Sequence, residues 1–185
     1  MRIIAGSFKG KKILRPDNKL TRPLKDLTKE SIFNIIKHSN LFDVEIKKSN
    51  ILDLFSGVGS FGLECLSRGA LSVTFFENYP KVLHILKKNI FNLNCEKKTK
   101  IIEKNIFENQ ALHFLEKKFD IVFIDPPYKE KNLSYLLKKI IELNLLKKGG
   151  IFIIHRHKKE KDDFPEKFKV LKKKYYGISK IIFGN

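Results

Sequence analysis

From residue 51 onward, short continuous apolar runs alternate with stretches whose apolar residues recur every three or four positions. The runs at 51–55, 71–77, 100–103, 119–125 and 151–155 predict strands, and the stretches at 60–68, 80–93, 106–117 and 132–144 predict helices. The runs show no polar alternation, the pattern of strands covered by helices on both faces of a parallel sheet. The order is that of a doubly wound α/β fold. The tail departs from it: 168–176 and 178–183, joined at Gly177, predict a closing antiparallel pair, giving seven strands, mostly parallel. The charged stretch 158–167 predicts a solvated loop. His155, Arg156 and His157 read as a strand end running into that loop, with no catalytic role.

Upstream, Leu24, Leu27, Ile32, Ile35 and Ile36 recur at near-helical spacing, with Asp26 and Glu30 towards the start, so a helix over 24–37 leads into the main domain. Residues 2–5 and 11–14 are short apolar pieces around Gly6-Ser7-Phe8-Lys9-Gly10, and predict a small basic β-hairpin followed by an irregular proline-containing segment. The expected division is a basic extension at 1–23 and one α/β domain at 24–185.

Charge adds a class of partner. Lys and Arg total 38 against 20 Asp and Glu, a formal net charge of +18, which attracts a polyanion. Only Arg2, Arg15, Arg22, Arg68 and Arg156 are arginines, and the richness in Lys, Ile, Asn and Phe fits a drift toward A/T-rich codons, so part of the Lys excess is solvated surface. Cys65 and Cys95 sit in no Cys-x-x-Cys or Cys/His cluster, so neither a disulfide framework nor a metal site is expected. No apolar run reaches the ~18 residues of a membrane span, and the first residues lack the apolar stretch of a signal peptide. The expectation is a cytoplasmic protein without membrane contact, most simply a monomer.

The chemistry gathers at strand ends. Asp53-Leu54-Phe55-Ser56-Gly57-Val58-Gly59 follows the first strand, where ligands bind in open α/β sheets, and glycines at 57 and 59 let a cofactor lie against the main chain. Glu77 ends the second strand, with Asn78 beside it, where a carboxylate can accept from two ribose hydroxyls. Gly57, Gly59 and Gly62 also satisfy the G-x-G-x-x-G of NAD-binding proteins, so spacing alone cannot choose the nucleotide. Asp53 favours S-adenosylmethionine, because an acid there suits the methionine ammonium and repels a pyrophosphate. Asn105 is a candidate for the adenine amino edge and Ile106 for the ring face; Asn105 is equally readable as a helix N-cap.

At 125–128 the next buried run delivers Asp125-Pro126-Pro127-Tyr128 to the same end of the sheet. Two prolines withdraw two N–H donors and leave acceptors. An exocyclic amine has its lone pair delocalised into the ring, and two acceptors holding both N–H groups would draw the nitrogen towards tetrahedral geometry and aim it at a sulfonium methyl. The candidate acceptors are Asp125 Oδ and the Pro126 carbonyl, with Tyr128 stacking on an extruded base. The residues therefore predict a Rossmann-like S-adenosylmethionine-dependent methyltransferase fold acting on a base amine. An NAD-dependent oxidoreductase would need a hydride-transfer partner, and Tyr135 with Lys139 supplies only the spacing, on an ordinary amphipathic helix. A DNA adenine N6 methyltransferase would need a target-recognition domain that is not visible. A non-catalytic RNA-binding module would show a lost acid at 125 or a filled glycine loop.

Beyond these motifs, Arg2-Ile3-Ile4-Ala5-Gly6-Ser7-Phe8-Lys9-Gly10-Lys11-Lys12 and the stretch from Arg22-Pro23 to Asn34 resemble the RsmD family of bacterial small-subunit ribosomal RNA methyltransferases, as do 52–68, Phe76-Glu77, Lys88-Asn89 and Asp125-Pro126-Pro127-Tyr128. The resemblance implies methylation of a guanine N2 in 16S rRNA, free or within the assembling small subunit. It implies cofactor contacts from Gly57, Gly59, Glu77 and Asn105, with the guanine held by 125–128. RNA would be gripped by Arg2, Lys9, Lys11, Lys12 and Arg22. Leu24 stands where the family would have Thr, Asn105 where Asp is common, and Asn78 where Asp is common.

Overall fold

The computed structural model describes residues 1–16, 24, 26–108 and 110–185, and one sheet organises them. The elements are α1 (Asp26–His38), β1 (Asn50–Leu54), α2 (Ser60–Ser67), β2 (Ser72–Phe76), α3 (Pro80–Asn92), β3 (Thr99–Ile102), β4 (Phe119–Ile124), α4 (Leu133–Glu142), β5 (Leu146–His157), β6 (Val170–Tyr176) and β7 (Ser179–Gly184). The seven strands lie in the order β3-β2-β1-β4-β5-β7-β6. The first five are parallel, and β7 runs antiparallel between β5 and β6. The doubly wound sheet and its antiparallel closing pair are as the apolar pattern predicts.

Because the strands are apolar on both faces, the sheet builds two cores. Ile51, Val73, Phe75, Ile121 and Phe123 face α1, α2 and α3, while Leu52, Leu54, Val122 and Ile124 face α4 and the turns after β3. Phe61 stacks between Phe33 and Phe123, with ring centroids at 5.4 and 3.9 Å, and locks α2 between α1 and the sheet. Every residue of α2 is buried.

The amino-terminal pieces meet in a single antiparallel bridge, Arg2 to Lys12. Ile3 and Ile13 join the core beside α1 and α2, and Glu64, fully buried on α2, accepts the Ile4 and Ala5 N–H groups at 2.8 and 3.0 Å. Gly6 makes the close docking possible: a Cβ there would lie 1.9 Å from the Ser67 carbonyl oxygen.

Four expectations need correction. No helix spans 106–117 among the described residues; there are turns and a short 3-10 turn at Ala111–Phe114. Gln110 adopts a left-handed φ of 64° and breaks the helical path, so Ile106, Ala111, Leu112 and Leu115 reach the core from turns instead. In α1 the inward face carries Lys29 rather than Leu27, which is 72% exposed, since Lys29 meets the acid on α2. And β5 runs on to His157, because its last residues pair with β7 as far as Ser179. The loop after it is not wholly solvated: the Asp162 side chain is buried between Arg156 and Lys180, 2.9 and 2.5 Å away.

Candidate active site

The strand order reverses at β1 and β4, the switch point where open α/β sheets bind ligands. Asp53 and Leu54 lie in register with Phe123 and Ile124, and the Asp125 N–H donates to the Leu54 carbonyl at 3.3 Å. The loops that follow therefore open into one cleft of about 680 Å³. Asp53, Phe55, Ser56, Gly57, Glu77 and Asn78 line one side, and Asp125, Pro126, Tyr128 and His155 the other.

On the first side, carboxylates occupy the main-chain donors. Asp53 is 1% exposed, and its Oδ2 accepts the Gly62 N–H at 2.9 Å near the start of α2. Its Oδ1 is buried with no hydrogen-bond partner among the described residues. Burial pushes the Asp53 carboxyl well above its ordinary value; the Gly62 N–H pulls it down, and the charges of Asp125 and Glu77 raise it further. Glu77 accepts the Gly57 N–H through Oε2 at 2.7 Å and the Asn78 and Tyr79 N–H groups through Oε1 at 3.0 and 2.9 Å. Ser56 ties the ends of β1 and β2, its Oγ accepting the Phe76 N–H at 3.0 Å. Gly59 takes a left-handed φ of 84°, and a Cβ there would strike Leu86. Phe55 also holds a left-handed φ, 57°, which is uncommon for a bulky residue and marks a backbone held by its surroundings.

This arrangement discriminates between ligands. A pyrophosphate needs N–H donors at the glycine loop and helix start, but those of Gly57 and Gly62 are already taken by carboxylates. Three acids around one cleft suit a cationic ligand, and the unpartnered Asp53 Oδ1 fits an ammonium group. Asn105 and Ile106 fall outside the cleft lining. Asn105 is exposed and its Oδ1 accepts the Phe107 N–H at 3.1 Å, closing a local turn, while Ile106 is buried in the second core.

On the other side, the Pro127 carbonyl is committed to the Glu130 N–H at 2.9 Å and to Arg156 Nη1 at 3.4 Å. Asp125 Oδ1 lies 2.8 Å from His155 Nδ1. Among the described residues, Asp125 Oδ2 and the Pro126 carbonyl accept no hydrogen bond, and both residues line the cleft. The Tyr128 ring stands edge-on to His157, with centroids 5.0 Å apart.

The family model described as conserved hypothetical protein 95 matches residues 1–185. A relative from Haemophilus influenzae named ribosomal RNA small subunit methyltransferase D is 33% identical over 183 residues, covering 96% of this chain and 90% of that protein. The chain belongs to the RsmD family. Bacillus subtilis YlbH is 37% identical across 86% of this chain and 84% of its own length. The solved structure of yhhF from Escherichia coli superposes with a TM-score of 0.80, covering 100% of this chain and 96% of that one at 25% identity.

In this RsmD-family chain the residues that sequence reasoning passed over are His155, Arg156 and His157. All three grip the loop at 125–130. Besides the contacts above, Arg156 Nη2 donates to the Glu130 carbonyl at 2.9 Å and its Nε to Asp162 at 2.9 Å. The usable signal was the run itself: three ring or guanidinium side chains in a row at the carboxyl end of a strand beside 125–128. The basic extension, by contrast, presents Arg2, Lys9, Lys11 and Lys12 outwards, and Lys11 lies 5.2 Å over the Phe8 ring. Arg22 lies outside the described residues. The extension connects to the Asp53 side of the cleft through Lys29, whose Nζ donates to the Arg2 carbonyl at 3.0 Å and to Ser60 Oγ at 3.4 Å. Burial lowers the Lys29 pKa, opposed by the nearby Glu64 and Asp26. Pro16 and Leu24, which flank the remaining link to α1, line the cleft.

Proposed function

We propose that the chain uses S-adenosylmethionine to methylate the exocyclic N2 amine of a guanine in 16S ribosomal RNA, by direct transfer to a base turned out of its stack. The observation that carries this reading is the pairing, in one cleft, of a carboxylate set suited to a cation with a proline-fixed loop that offers only acceptors. S-adenosylmethionine supplies the sulfonium methyl. Asp53 would hold its ammonium group through the buried Oδ1, Glu77 and Asn78 its ribose, and Phe55, Ser56, Gly57 and Gly59 its flank. Asn105 and Ile106 are assigned to the adenine, which requires the segment after β3 to turn towards the cleft. Asp125 Oδ2 and the Pro126 carbonyl accept the two amine N–H groups, and Tyr128 stacks on the base.

The ribosomal target draws on the relatives' names, and the exposed Arg2, Lys9, Lys11 and Lys12, with Arg22, are assigned to RNA. The extension at 1–23 serves RNA contact and 24–185 the chemistry. Labelled S-adenosylmethionine should be tested with naked 16S rRNA, immature small subunits and duplex DNA, followed by nucleoside mass mapping. The expected product is N2-methylguanosine from an RNA-containing sample. Label in DNA adenine N6 instead would overturn the target.

A further inference from the structure

A second chain of contacts runs behind Asp125. Its Oδ1 is 2.8 Å from His155 Nδ1, and His155 Nε2 is 2.8 Å from Ser179 Oγ. His155 and Ser179 are 6% and 8% exposed, and both sit on strands, β5 and β7. An ionised carboxylate only accepts, so the Nδ1 facing it carries the proton; Nε2 then accepts from the Ser179 hydroxyl. The imidazole, itself carried on β5, is thus anchored at Nε2 by Ser179 on β7 and presents Nδ1 to the Asp125 carboxylate.

We infer that His155 is a positioning residue: it clamps Asp125 through Oδ1 so that Oδ2 faces the amine alongside the Pro126 carbonyl. The inference rests on the proposed function for its chemistry. The physical need is specific. The torsion that swings an aspartate carboxylate is broad, so a carboxylate alone in a cleft samples many orientations. Two acceptors can hold the two N–H groups of a planar amine only when both stay in place. The Pro126 carbonyl is fixed by its ring-locked backbone. Asp125 has no such restraint of its own, and the side chain from β5 supplies it. Support of a reacting group by packed residues on rigid elements is what keeps a site within productive geometry, and a displacement of about 1 Å costs on the order of 100-fold in rate.

Two isosteric variants divide the imidazole's roles. His155→Asn keeps an N–H where Nδ1 donates to Asp125; His155→Gln reaches towards Ser179 and loses that donor. His155→Gln is expected to lower kcat for methyl transfer about 100-fold, with KM for RNA and affinity for S-adenosylhomocysteine within about threefold of the parent. His155→Asn should recover at least about tenfold of that loss. A merely structural histidine would not be rescued by one amide and not the other. Unchanged kcat in His155→Gln, or equal loss in both variants, overturns the inference.

A second measurement does not depend on the RNA target. In ¹⁵N-histidine-labelled protein, with His155→Asn identifying the resonances, the His155 ring should be protonated at Nδ1, with that proton hydrogen-bonded. A ring protonated at Nε2 and not at Nδ1 overturns the inference. Failure of the parent chain to methylate any RNA would count against the proposed function, while the spectrum would still decide the state of His155.

Discussion

The two sides of the cleft are held by different means. On the Asp53 side the carboxylates are held by main-chain N–H groups of the same β1–α2–β2 unit or just after it: Asp53 Oδ2 by Gly62, with Oδ1 left over, and Glu77 by Gly57, Asn78 and Tyr79. On the Asp125 side, Asp125, Pro127 and Glu130 are held by His155 and Arg156, and His155 in turn by Ser179. The first side is a strand–loop–helix–strand unit that shapes itself. The second depends on β5 and β7, which the chain reaches later. Loss of a far-off strand contact should therefore disable transfer before it disables cofactor binding.

Variants can break this comparison, beginning with the largest effect. Asp125→Ala should lower methyl transfer by about 10²–10³-fold, the cost of removing one preorganised transition-state contact, while calorimetry shows S-adenosylhomocysteine binding nearly unchanged. Equal loss of both would make Asp125 a structural residue and join the two sides. Arg156→Ala leaves buried Asp162 without this partner and frees the 127–130 loop. Lys180 still pairs with Asp162, so the loss in urea unfolding should stay below the about 3–5 kcal/mol of a buried charge left without any partner, and the folded fraction should keep its cofactor affinity.

Asp53→Asn tests the other side. The folded Asp53 carboxyl titrates well above 3.8, so between that value and the raised one the folded state binds more protons than the unfolded. Its contribution to stability is lost as pH rises through the raised value, and ionisation of this buried carboxyl is a cost to the ligand-free chain. The ionised form is the one that binds a cation. Affinity for S-adenosylmethionine should accordingly weaken as pH falls through that range, with proton release on binding read by calorimetry in two buffers. Asp53→Asn should lose about 10–100-fold in affinity, the worth of a hydrogen bond to a charged group, and should lose the pH dependence while the ligand-free chain unfolds at higher urea. At Tyr128 the range is similar for truncation and smallest for the conservative change: Tyr128→Ala should raise KM for RNA by about 5–150-fold, the range of one base–aromatic stack, and Tyr128→Phe far less.

The sheet was readable because its strands are short apolar runs bounded by turns, and runs of that kind leave few alternatives. The glycine loop, Asp53, Glu77 and 125–128 were readable because each is a local pattern at a strand end. The stretch 106–117 was misread for the converse reason: its apolar residues have helical spacing, but Gln110 turns left-handed and packing seats them from turns. Leu27 was likewise misplaced, because periodicity sees an apolar residue and not the buried Glu64 that draws Lys29 inward.

What the sequence alone determined is the order of the strands and the presence of Asp53, the glycine loop, Glu77 and 125–128 at their ends, since both follow from local spacing and side-chain chemistry. Only the tertiary structure decided which of those groups are spoken for. Asp53 and Glu77 take the donors a phosphate would use, and His155, Arg156 and Ser179 restrain the loop that would hold the base. The physical reason is that a hydrogen bond depends on distance in space. An acid at 125 and a histidine at 155 become partners only when β4 and β5 pair in register and β7 folds back beside them.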